Sequence, residues 1–213
     1  MQKYIALVLA VSIAAACSNK TANDIDHASH SSNATNSNGS NGHLNHSSME
    51  HSAMTSSPGA ASAPIELQFL DTMIIHHKGA IDMAKLADAR AEHAELKKLS
   101  SDIIRDQERE IATMNKLREK WFGEMPEALS MEFPGMSEGM HGMDLKKLES
   151  LRGNDFDVEF IRQMIPHHQG AVAMAKHLAS NDSYSELKKL TDEIIKAQEA
   201  EVKQMGEWLQ AWK

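Results

Sequence analysis

Twice in this sequence a pair of adjacent histidines stands with a methionine three residues before its first member and another seven residues after it. The two sets are Met73, His76, His77 and Met83, then Met164, His167, His168 and Met174. Thioether sulfur is a soft donor and imidazole suits copper in general, so methionine and histidine together form a ligand set for Cu(I). A thioether has no proton to lose, so it keeps binding in acid where imidazole sites weaken. Each block is followed by a second segment, which carries Gln107, Glu110 and Met114 in one case and Gln198, Glu201 and Met205 in the other. The competing reading is packing. Methionine fills gaps in helical cores, and a buried His paired with Glu can be a polar network that fixes register. Burying two imidazoles nevertheless costs free energy unless hydrogen bonds or a metal satisfy them.

A further group lies between the two blocks, in the run M-E-F-P-G-M-S-E-G-M-H-G-M that ends at Met143. Met131, Met136, Met140, His141 and Met143 stand there among glycines. Gly-rich connections usually run over the surface, so these side chains are expected to be exposed and open to a metal ion. The alternative is that the connection folds over a core and buries them. Other metals fit the donors less well. Zinc has no cysteine set to bind, and the single Glu-x-x-His, Glu138 to His141, is not the paired arrangement a di-iron bundle needs. The sequence contains no G-x-S-x-G, P-loop or H-E-x-x-H motif. A binding protein is expected rather than an enzyme, with metal ions as its ligands.

The elements that must hold these donors come from an internal duplication with an offset of 91 residues. Phe69 to Lys85 recurs as Phe160 to Lys176, E-L-K-K-L at Glu95 recurs at Glu186, and Trp121 matches Trp212. In each copy apolar positions recur at helical spacing. Phe69, Met73, His76, Ala80 and Met83 form one stripe, and Leu96, Leu99, Ile103, Gln107, Glu110 and Met114 form another. Each copy therefore reads as a helical hairpin. If the first turns near Glu92, His76 falls level with Gln107 and Glu110, and Met73 with Met114. Pro64 suits a first turn, Asn154 with Asp157 following reads as a cap, and Ser183 with Glu186 makes a capping box. Pro166 lies inside the third helix and should kink it just before His167. Two hairpins with such wide apolar faces should pack as one all-α four-helix bundle; a coiled-coil dimer is the other way to bury them. The expected boundaries are 64–122 for the first repeat, 123–153 for the Met-rich connector and 154–213 for the second repeat.

Ahead of the bundle, residues 1–16 read as a cleaved export signal, with an apolar run shorter than the ~20 residues a membrane span needs. Its end, Ile13-Ala14-Ala15-Ala16-Cys17, resembles a lipobox, which would make the lone Cys17 the site of lipidation. Ser18 after it favours the outer membrane, facing the periplasm. Residues 17–63 are rich in Ser, Asn, Ala and Gly and read as a tether, carrying His27, His30, His43, His46, Met49, His51 and Met54. The membrane contact is then by lipid anchor alone. A formal net charge of −8 argues against nucleic acid as partner and is compatible with cations.

The block M-x-x-H-H-x-x-A-x-x-M-A followed by Q-x-x-E-[IV]-x-x-M resembles the family known as domain of unknown function 305. Both copies carry it: Met73, His76, His77, Ala80, Met83 and Ala84 with Gln107, Glu110 and Met114, then Met164, His167, His168, Ala171, Met174 and Ala175 with Gln198, Glu201 and Met205. The resemblance spans nearly all of Ile65 to Lys213 and implies a ferritin-like helical bundle. Members of the CopM-like kind are exported copper-binding proteins associated with copper tolerance. The expected cargo is therefore copper, as Cu(I) and, on tether histidines, Cu(II), with a copper-transfer protein as partner.

Overall fold

The computed structural model describes residues 54–180 and 184–213, and every helix and turn among them belongs to an all-helical architecture. Cys17, the tether residues His27, His30, His43, His46, Met49 and His51, and Ser183 lie outside the described residues. Four long helices make the body: α1 (Ile65–Lys85), α3 (Ala94–Phe122), α6 (Gly153–Ala179) and α7 (Ser185–Ala211). Short helices α2 (Ala87–Arg90), α4 (Met136–Met140) and α5 (Leu145–Ser150) lie in the connections. No helix among the described residues is long and apolar enough to cross a membrane.

Pro64, at φ −51°, precedes α1, where its missing N–H costs nothing. Gly123, at φ 43°, ends α3. Asn154 is not a cap: α6 begins at Gly153, one residue earlier. Asp157, fully buried, instead accepts from the backbone N–H groups of Glu92 and His93 and from His93 Nδ1 at 2.6 Å. That carboxylate ties the first hairpin's turn to the start of the second hairpin. Helix α6 continues through Pro166.

The described core falls into three clusters, a small one of Ala60, Leu67 and Ala128 and two large ones related by the duplication. Of the large ones, the first joins the start of α1 (Phe69, Leu70, Met73) to the end of α6 (Met174, Ala175, Leu178). The second joins the end of α1 (Ala80, Met83, Ala84) to the start of α6 (Phe156, Phe160, Met164). Helices α1 and α6 therefore run antiparallel through the middle, with α3 and α7 packed on them as the outer arm of each hairpin. Aromatic stacks repeat at the two ends. His93 lies on Trp212 at 3.8 Å, and Tyr184, 91 positions after His93, lies on Trp121 at 4.3 Å.

The connector breaks this symmetry, and it corrects the expectation that its methionines are exposed. Met136 is fully buried and Met140 is 8% exposed, both as members of the first cluster. Met131 and Met143 are partly buried against it, and His141 is exposed. The glycines are the reason: they allow a helix to come close rather than loop outward. A Cβ at Gly170 would sit 2.5 Å from Gly139 Cα and from the Gly135 carbonyl oxygen, so α4 rests with its backbone against α6.

Candidate metal centre

The four histidines of the two pairs are all fully buried at the level where α1 and α6 cross. The rings of His76 and His167 face one another with centroids 3.7 Å apart. Their neighbours turn outward to the second helix of each hairpin. His77 Nε2 lies 2.8 Å from Glu110 Oε2 and His168 Nε2 lies 2.7 Å from Glu201 Oε2. An ionised carboxylate only accepts, so each Nε2 donates and each Nδ1 carries the lone pair. The sequence placed Glu110 level with His76; the structure gives it to His77 instead. Glu110 also lines a groove of about 740 Å³ between α3 and α7, so a buried imidazole is linked to solvent through one carboxylate.

Several buried polar atoms of this layer have no hydrogen-bond partner among the described residues. They are both ring nitrogens of His76, Nδ1 of His77, Nδ1 of His168, both amide atoms of Gln107 and Oε1 of Gln198. Buried polar groups are normally paired, because an unpaired one forfeits its hydration for nothing. Burial holds the His76 pKa well below the ordinary 6.5, with repulsion from His77 and His168 adding to it. A neutral imidazole is the form that binds metal.

Around this layer stand the remaining candidates. Met73, Met114 and Met174 belong to the first cluster, Met83, Met164 and Met205 to the second, and all six are fully buried. Among the described residues no three His, Cys, Asp or Glu side chains are grouped to hold a metal ion. The donors that can meet an ion here are thus imidazole and thioether, a soft set. The sequence did not flag Gly139, although a Cβ there would sit 2.5 Å from His76 Nε2. The M-S-E-G-M spacing, with glycine between two methionines on a short helix, was the available signal.

The family model described as Domain of unknown function (DUF305) matches residues 14–118 and 66–209. No curated protein matches. Among solved structures, CopM in the Cu(II)-bound form is 48% identical, covering 70% of this chain and 97% of that chain with a TM-score of 0.61. CopM in the Cu(I)-bound form is 47% identical, covering 69% and 96% with a TM-score of 0.59, and CopM has also been solved in an Ag-bound form. A DUF305 fragment from Deinococcus radiodurans is 27% identical, covering 70% and 97% with a TM-score of 0.60.

Proposed function

Because the chain belongs to the domain of unknown function 305 family, we propose that it is a copper-binding protein that takes Cu(I) as cargo on its buried histidine pairs. The observation that carries this reading is the set of imidazole nitrogens at His76, His77 and His168 that are buried without a hydrogen-bond partner. A copper ion supplies what they lack, and the copper and silver states of CopM make that cargo the natural one for a chain this similar. His76 and His77 of one pair and His167 and His168 of the other would be the imidazole donors, no more than two to an ion, with thioethers from Met73, Met83, Met114, Met164, Met174 and Met205 completing the set. Glu110 and Glu201 would fix the ring orientation and basicity of His77 and His168. A monovalent ion suits this interior better than a dication, since desolvating charge grows costly as charge rises.

In the cell the protein would be exported, lipidated at Cys17 and held at the outer membrane facing the periplasm. There it would sequester copper or hand it to a partner protein, with tether histidines available to Cu(II). Replacing Cys17 by Ser should abolish incorporation of labelled palmitate; unchanged labelling removes the anchor from the proposal. The function itself is tested by anaerobic titration of Cu(I) against a competing chelator. Replacing His76 and His77 by Ala should lower the number of Cu(I) equivalents bound while the chain stays helical, and Glu110→Ala should weaken binding at its pair about 10- to 100-fold. Unchanged stoichiometry in the histidine variant would return these residues to core packing.

A further inference from the structure

The two halves of the bundle act as controls for one another. Each half receives methionine from the same three positions of the repeat: Met73, Met114 and Met174 in the first cluster, Met164, Met205 and Met83 in the second. The connector then covers the halves differently. Leu145, Leu148 and Leu151 pack on the second cluster, whereas Met136 and Met140 of α4 enter the first beside Leu129 and Phe133; Met143 lies partly buried against both. The connector side chain buried within the second cluster is thus a leucine, Leu148, where the first takes two methionines, and packing alone does not explain that difference. An unbranched thioether specifies a core less well than leucine, so the substitution carries a structural cost that a ligand role would offset.

We propose that the half covered by α4 contains a second site for a soft monovalent cation, Cu(I) or Ag(I), made by the thioethers of Met136 and Met140 with Met73, Met114 and Met174. The inference rests on the copper reading above and extends it to donors outside the histidine layer. Thioethers are neutral and soft, so the site takes a monovalent soft ion and offers a hard dication no charge compensation. Access is built in: Met54, Met131 and Met143 are partly buried at the margin of the same cluster and lead inward from the surface. The site also adjoins the histidines. Gly139, between the two α4 methionines, lies against His76 Nε2, and Met143 Sδ and His167 Nε2 both approach Gly79. An ion on the thioethers is therefore one short step from the imidazoles.

The test is equilibrium binding of Ag(I) to the full chain at neutral pH against a competing chelator, read as the number of equivalents held. Three proteins are compared: the natural chain, Met136→Leu with Met140→Leu, and, as the matched variant, Met125→Leu, the same change at an exposed methionine outside both clusters. The expected result is that the natural chain and the matched variant keep one Ag(I) equivalent that the α4 variant loses. X-ray absorption of the Cu(I)-loaded natural chain should show more sulfur per copper than the α4 variant. Equal retention by the α4 variant, or equal loss by the matched variant, overturns the proposal. Absence of Ag(I) binding by the natural chain overturns the copper reading itself. Should the double change disturb helicity by circular dichroism, Met140→Leu alone, at the margin of the core, gives the same comparison.

Discussion

An imidazole in a dry interior resists protonation, and at His76 this resistance sets how the molecule responds to acid. Burial lowers its pKa well below 6.5, and His77 and His168 lower it further. In the unfolded chain the same ring takes up a proton near the ordinary value of about 6.5. Between the two values the unfolded state binds more protons, so stability falls as pH falls through the unfolded pKa and levels off only below the folded one. The metal-free protein is therefore expected to lose thermal stability from about pH 7.5 to about pH 5.5. His76→Gln should shallow that slope in thermal melts followed by circular dichroism, and an identical slope would assign the acid sensitivity to other groups. At this scale the sequence was only partly legible. Residue types and axial level could be read from spacing, which put Glu110 in the right layer. Neighbours on a helix differ in direction by about 100°, however, and level alone does not say which of two adjacent histidines a carboxylate meets. The packing of α1 on α6 decides that, by directing His76 to His167 and leaving His77 for Glu110.

Helix α4 is held by the absence of side chains, which gives its energetics an unusual sign. Inside a helix, alanine is ordinarily better than glycine by about 0.8–1.0 kcal/mol. At Gly206 in α7 an added Cβ meets nothing within 4 Å, so Gly206→Ala should raise stability by about that amount. At Gly170 in α6 the same methyl group would collide with the backbone of Gly135 and Gly139, so Gly170→Ala should cost about 1–3 kcal/mol despite the better propensity. Urea unfolding of both variants checks the pair, and stabilisation by Gly170→Ala would mean that α4 does not rest on α6 as described. The same contrast explains which elements could be read in advance. The long helices have apolar stripes repeated over several turns, from Phe69 to Met83 and from Leu187 to Met205, and such a period survives any packing. Helices α4 and α5, five and six residues long, are too short for a period to register. Glycine among methionines suggested a surface connection because turns and close approaches use the same residue. Which use applies depends on whether the partner helix also has a glycine at the contact, as α6 has at Gly170.

The duplication makes the whole bundle, rather than the hairpin, the unit that buries the core. Met73 and Met114 of the first repeat pack with Met174 of the second, and Met164 and Met205 of the second pack with Met83 of the first. Each hairpin alone would therefore leave its half of both clusters open to water. Asp157 reinforces the dependence, since its buried carboxylate is satisfied by Glu92 and His93 from the other repeat. The connector joins them again, with α4 and α5 each packing on both α1 and α6. Most helical stability in proteins comes from packing of an amphipathic face, and isolated helices of this kind are marginal in water. A chain of residues 64–122 alone should thus show little helix by circular dichroism, as should residues 154–213. The complete chain should unfold in one cooperative transition detected alike by far-ultraviolet circular dichroism and by tryptophan fluorescence. Asp157→Ala, which leaves two backbone N–H groups and the His93 ring without their acceptor, should lower that transition without splitting it. Two resolved transitions, or a hairpin that keeps its helix alone as a monomer, would mean that each repeat folds on its own. The histidine layer would then be assembled by docking of two finished units. A single shared transition instead makes the pairing of His76 with His167 a consequence of folding itself, so the buried donors exist only once both repeats are in place.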